Sequence, residues 1–224
     1  MTRETYQQSL VELRADVTAM GETVVERLGM AIDSLATGDE AVAREVIDGD
    51  SAVNETYLEL ERRCIELVAL QQPVASDLRF VAASFKISTD IERIGDLATN
   101  LAQYALAADR TFTPDVGLDE IGRDATELVE RSLEAYANGD ADACREIAAR
   151  DDEIDALCQR ANHAVARDLI EEEALGDAWA VEELLDDVSR VLLTIRDLER
   201  VADHAVNIAA RTLYAVENDT ELIY

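Results

Sequence analysis

Glu92 and Asp96, and again Glu199 and Asp203, stand four residues apart, which sets two carboxylates side by side on one face of a helix. Like charges so placed repel unless something positive lies between them. Hard or borderline cations take oxygen ligands, and helix-borne acids in bundles hold iron or manganese in this way. A second pair on a neighbouring helix would complete each shell: Asp50 with Asn54 in one case, Asp151 with Asp155 in the other. With 49 acids in 224 residues, however, roughly ten such acidic pairs arise by chance, and most helical charge runs are solvated faces. Repetition singles these out. Glu92, Arg93, Asp96 and Asn100 recur as Glu199, Arg200, Asp203 and Asn207, a shared E-R-x-x-D-x-A-x-N.

The elements that must carry these residues are helices. Apolar residues make up 48% of the chain, with only 2 Pro and 9 Gly. Ala, Leu, Glu and Arg dominate, residues that lose little rotamer freedom in a helix. Alternating β-branched and aromatic runs bounded by turns are missing, so the fold class is all-α. Glycines and prolines divide the first half into helices over about 4–36, up to 47, 51–70 and 73–108, with Pro73 opening the last of these. After a linker over 110–117 the pattern restarts, with helices over about 118–137, 141–149, 152–174 and 178–216. Two domains follow, 1–109 and 118–224, each a three-helix bundle of long antiparallel helices. Ile87, Ile91, Ile94, Ala98, Leu101 and Ala105 form a 4-3-4-3-4 stripe for packing, with Glu92, Asp96 and Asn100 roughly opposite. The acids therefore belong outside each bundle or at its seam.

The halves are copies. Leu35-Ala36-Thr37-Gly38-Asp39 is answered by Tyr136-Ala137-Asn138-Gly139-Asp140, and Asp50–Asn54 by Asp151–Asp155, both 101 residues on. DIERIGDLATNLA, starting at Asp90, is answered 107 residues on by DLERVADHAVNIA, starting at Asp197. Seven of these thirteen positions are identical, and three more exchange Leu, Ile or Val. A match so long marks a duplicated unit.

Charge excludes some functions. The balance is 49 acids against 20 bases, a net −29, and Lys86 is the only lysine. Such a surface repels nucleic acid and anionic membranes, because duplex binding relies on basic residues releasing phosphate counterions. The acids are spread along the chain rather than gathered in a tail, which suits a protein of a salt-accumulating halophile. At 1 M salt the Debye length is about 3 Å, short enough to screen the self-repulsion. Helicity, followed by circular dichroism, is expected to fall on dialysis to low salt; a fully folded protein in dilute buffer would count against this reading. Cys64, Cys144 and Cys158 are odd in number and far apart, as expected of free buried thiols in a reducing interior. No apolar run reaches the length of a membrane span, and no signal-peptide core opens the sequence, so a cytoplasmic protein without membrane insertion is expected.

Gln71-Gln72-Pro73-Val74-Ala75-Ser76-Asp77-Leu78-Arg79, followed by Asp90-Ile91-Glu92-Arg93-Ile94-Gly95-Asp96, resembles the Q-P-x-A-x-D-L-R and L-E-R-I-G-D pattern of the PhoU family. Leu198-Glu199-Arg200-Val201-Ala202-Asp203-His204-Ala205 is similar to that family's second L-E-R-I-A-D-H-A, and the likeness, of a haloarchaeal type, spans essentially the whole chain. The resemblance implies paired three-helix bundles whose outer faces carry metal ions. The ligands it implies are Asp50, Glu92 and Asp96 in the first bundle, and Asp151, Asp155, Glu199 and Asp203 in the second. Asn54 departs from the motif with a neutral amide, which predicts weaker binding in the first bundle. Iron, manganese, zinc and magnesium all suit the ligands. The family works with the phosphate-specific ABC transporter, whose ATP-binding subunit is the expected partner, and in many cases with a sensor histidine kinase. It restrains uptake and starvation signalling when phosphate is plentiful, and its members form dimers, so a homodimer is expected.

Catalysis is not expected. The sequence has no Gly-rich phosphate loop, no Cys-His arrangement and no serine nucleophile beside a base. A di-metal carboxylate enzyme would need Glu-x-x-His motifs facing the bundle interior, and the sequence has none. An accessory of a phosphate permease is the nearer alternative. Arg93 and Arg200 are expected to pair with nearby acids. His204 follows Asp203 directly but projects about 100° away from it on a helix, a position for support rather than ligation. His163 and Trp179 read as a surface or packed histidine and a packing anchor.

Overall fold

In the computed structural model the described residues are 3–71, 74–108, 116–173 and 178–223; of residues 70, 71, 171–173 and 178–183 it describes only the backbone. They form seven helices and no strand: α1 (Arg3–Thr37), α2 (Glu40–Asp48), α3 (Asp50–Gln71), α4 (Ala75–Ala107), α5 (Leu118–Asn138), α6 (Ala141–Glu173) and α7 (Ala178–Glu217). Pro73, Gly176 and most of the expected linker lie outside the described residues, as does the side chain of Trp179. Bundle one is α1, α3 and α4 with the short α2 against them; bundle two is α5, α6 and α7. The stripe read from the sequence is the packing face of α4: Ile87, Ile91, Ile94, Ala98 and Leu101 are all buried.

The repeated Gly-Asp pairs end one helix and start the next. Gly38 and Gly139 take φ of 69° and 67°, the left-handed region that closes a helix and that Gly enters without a Cβ clash. Asp39 Oδ1 then accepts from the amides of Ala41 and Val42 at 2.9 and 3.3 Å, and Asp140 Oδ1 from that of Ala143 at 3.0 Å.

One expectation fails. Helices over 141–149 and 152–174 were expected to be separate, as in the first half, but α6 runs through unbroken. The first half has Gly49 at its junction, which ends α2 with its amide bonded to Glu45 O. The second half has Arg150 there, a good helix former that costs about 1 kcal/mol less than glycine inside a helix.

The two bundles share a continuous apolar core rather than standing apart. They meet along α4 against α7 and α1 against α5. The contacts come in pairs that exchange the halves. A Cβ on Gly21 would stand 2.5 Å from Leu133, and one on Gly122 3.0 Å from Ile32. Gly122 and Leu133 are the residues 101 positions after Gly21 and Ile32. The missing side chains let α1 and α5 approach closely. Between α4 and α7 the same exchange is polar. Asp90, 3% exposed, meets His204 Nδ1 at 3.0 Å and accepts from Arg211 Nε at 3.4 Å. Its counterpart Asp197, fully buried, accepts from Tyr104 Oη at 3.0 Å, and Tyr104 is the counterpart of Arg211.

Candidate metal centre

Each bundle brings its acids together where two helices meet. Asp50 and Asn54 lie in the first two turns of α3, and Asp50 stands against α4, where it accepts from Thr99 and its charge acts on Glu92 and Asp96. Asp151 and Asp155 on α6 face Glu199 and Asp203 on α7 in the same way. All eight are half-buried or exposed, so they line seams and not the bundle interiors. Asn100 and Asn207 lie half-buried one turn further along α4 and α7.

The electrostatics show that the acids of each seam feel one another. Burial raises the pKa of Glu92 and of Asp96, and the charge of Asp50 raises both further. Burial likewise raises Glu199 and Asp203, with Asp155 adding to each. Asp151 moves most: burial first, then Asp155, Asp203, Asp152 and Glu199 push it up to about 6. Cys158, buried behind this seam, is pushed up to about 12 by burial and then by Glu199, Asp155 and Asp203. It lies buried while the carboxylates line the seam, so the donors exposed there are oxygens.

The seams differ in how well their acids are satisfied. Asp50 accepts from Asn54 Nδ2 and from Thr99 Oγ1, both at 3.0 Å, one on each oxygen. Asp151 Oδ1 is buried with no hydrogen-bond donor at all. An acceptor left so costs about 1–3 kcal/mol, and more when charged. A cation is one partner that would remove both this cost and the mutual repulsion, and the oxygen donors here are of the kind it takes. Among the described residues no three His, Cys, Asp or Glu side chains stand as close together as an ion's shell requires.

A raised carboxyl pKa favours the protonated folded state. Asp151 therefore stabilises the fold fully below its unfolded value of about 3.9, and that contribution is lost as pH rises through about 6. Asp151→Asn is thus expected to raise the thermal midpoint of metal-free protein at pH 7.5. After discounting for solvent screening the gain is about 1 kcal/mol, or about 2–4 °C, and it should vanish near pH 4. Thermal unfolding at the two pH values checks this; an equal gain at both would place its cause elsewhere.

Other residues singled out in the sequence fall around the seams. His204 turns away from Asp203 into the contact between bundles, where it meets Asp90. Arg200 lies 3.9 Å from Asp197 and lowers the pKa of Asp203 against its burial. Arg93 is exposed, and its charge lowers the pKa of Glu92 against its burial. His163 is exposed.

Sequence reasoning passed over Asp90 and Asp197. Both are invariant between the copies and fall in register with Ile94, Leu97 and Leu101 or their equivalents, so an acid on an apolar face was the available signal. It also passed over Arg27 on α1. Its Nη2 donates to the carbonyl of Val46, and its guanidinium occupies the space a side chain at Gly49 would fill. Burial lowers the pKa of Arg27, and the charge of Asp50 partly restores it.

A duplicated all-helical chain with acids paired across two corresponding seams defines a class of proteins built from tandem bundles. No helix of the described residues is long and apolar enough to cross a membrane. The PhoU domain model matches residues 17–105 and 118–212, one match in each half, and the chain belongs to that family. It is 30% identical over 215 residues to a phosphate-specific transport system accessory protein PhoU homolog of Methanothermobacter thermautotrophicus, covering 94% of each chain. Its fold is similar to the crystal structure of PhoU from Pseudomonas aeruginosa, with a TM-score of 0.88 at 28% identity, over 96% of this chain and 100% of that one. It is similar too to the phosphate transport system regulatory protein PhoU from Streptococcus pneumoniae, with a TM-score of 0.86 at 26% identity, over 96% and 98%.

Proposed function

We propose that this protein is a non-catalytic, cytoplasmic regulator of phosphate uptake and starvation signalling that acts on the phosphate ABC transporter through its ATP-binding subunit. The relatives it resembles along nearly its whole length are named accessory and regulatory proteins of phosphate transport, which supports the regulatory role. A sensor histidine kinase is a second partner the family implies, and a homodimer its working assembly.

The observation that carries the metal part is the buried, donor-less oxygen of Asp151 inside a seam of four acids. Asp151, Asp155, Glu199 and Asp203 would hold a divalent or trivalent cation, which supplies positive charge and fixes α6 against α7. Oxygen donors suit magnesium, manganese and iron best and accept zinc. Binding would draw the carboxylates inward from the spacing that repulsion sets between them.

Affinity capture of the tagged protein from phosphate-replete cells tests the partner. The ATP-binding subunit is expected in the eluate and is expected to be depleted after phosphate starvation. Recovery of a phosphate permease instead would favour the accessory role on that class of transporter. Recovery of no transporter component would falsify the partner assignment.

A further inference from the structure

We infer that Arg27 is the built-in counter-cation of the first seam, and that together with Asn54 it closes this seam to the metal ion that the second one takes. The inference rests on the metal reading above and confines it to one bundle.

Arg27 reaches the seam from α1. Its guanidinium is held by the carbonyl of Val46 in the last turn of α2 and lies over Gly49, the residue before Asp50. A side chain at position 49 would collide with it, so the glycine is the opening through which this charge enters. Arg27 forms no ion pair with Asp50, whose two oxygens are already taken by Asn54 and Thr99. Held by the backbone, it sets its charge beside Asp50, the one acid of the seam whose charge acts back on it.

Every one of these residues is exchanged in the second bundle. The positions 101 further on from Arg27, Gly49 and Asn54 hold Leu128, Arg150 and Asp155, and the position 107 on from Thr99 holds Val206. Arg150 is engaged by Glu127 at 2.7 Å. The second seam therefore presents four carboxylates with no hydroxyl, amide or α5 cation to satisfy them. The first presents three, beside a guanidinium and with one acid already satisfied. An entering dication is attracted by the second and opposed in the first by a charge that the Val46 carbonyl holds in place.

The test uses the full chain carrying Glu199→Ala and Asp203→Ala, which disables the second seam. Mn²⁺ binding is measured by the electron paramagnetic resonance of the free ion, and the thermal midpoint is read with and without Mn²⁺. With Arg27 present, this protein is expected to show neither binding nor a shift in midpoint. Adding Arg27→Met and Asn54→Asp should bind Mn²⁺ about tenfold or more tighter than Asn54→Asp alone, which keeps the guanidinium, and should raise the midpoint on binding; equal binding by the two would overturn the role of Arg27. Arg27→Gln with Asn54→Asp removes the charge but keeps a donor for Val46, and it decides the matter if the methionine variant does not fold. The inference is overturned if the protein with Arg27 binds Mn²⁺ as tightly as the unmodified chain, or if neither charge-removed variant gains binding. Should the unmodified chain bind no Mn²⁺ while the charge-removed variants do, the metal reading of the native second seam fails and the role of Arg27 stands.

Discussion

Replacing Asp90 by alanine is expected to lower the stability of this protein by about 3 kcal/mol, the larger of the two losses that its buried interfacial acids can produce. Asp90 joins the bundles from α4, meeting His204 and Arg211 of α7. Removing it leaves a buried imidazole and a largely buried guanidinium without their anion, and breaking a buried pair in this way costs about 3–5 kcal/mol. The Arg211 side chain is 23% exposed and can turn partly to water, which places the loss near the lower end. For a chain of this length that is about 6–12 °C in thermal midpoint. Asp197→Ala should cost only about 1–2 kcal/mol, because it orphans the Tyr104 hydroxyl and two arginines that are half-exposed already. The ranking is the informative part. Equal losses at the two positions, measured by thermal or urea unfolding in one salt-rich buffer, would mean that the halves are joined by packing alone and that the polar pairs are incidental.

The second large effect falls on metal content. Glu199→Ala with Asp203→Ala removes two of the four carboxylates of the second seam, both from α7. Loss of residues that merely orient metal ligands costs about 10–100-fold in affinity, so loss of two direct ligands should cost about a hundredfold or more. Elemental analysis of protein purified without chelator is expected to fall to background. A purely structural role for these acids predicts a less stable variant in every buffer. A ligand role predicts opposite signs: without metal the variant should be more stable than the parent at neutral pH, because like charges have been removed, and with Mn²⁺ it should be less stable. Unchanged metal content would sink the assignment of this seam.

Much of this was legible because it is local. Helix composition, the Gly-Asp punctuation at residues 38–39 and 139–140 and the stripe on α4 are properties of short windows, and each is found in the folded chain. The pairing of acids across α3 and α4, and across α6 and α7, was within reach because the duplication supplied its own alignment. The unbroken α6 was misjudged by carrying a glycine break across to a half that has Arg150 instead. The contact between bundles was not legible, since a helix with a broad apolar face does not reveal which part of it meets which neighbour. Asp90 therefore read as the first letter of a motif and not as a buried acid. Arg27 escaped for the same reason. Its target is formed by the end of α2 and the start of α3, more than a dozen residues further on, and only the tertiary arrangement brings them together.

The exchange of Gly21 and Leu133 with Gly122 and Ile32 has an evolutionary reading. Two copies of one surface that contact each other reciprocally are the hallmark of a twofold-symmetric dimer. A half-length ancestor with a glycine at this position on its first helix already had the surface to pair with itself. Fusion of two such genes would have kept the dimer while ending its obligation to be symmetric. Once the halves were covalently joined, the copies were free to differ: one carries Asn54 and sets Arg27 over Gly49, while the other carries a fourth acid, Asp155, and leaves an oxygen of Asp151 without a donor. On the proposal that only the second seam takes a metal, the asymmetry is a division of labour between former equals, one neutralising itself and the other left to answer the ions around it.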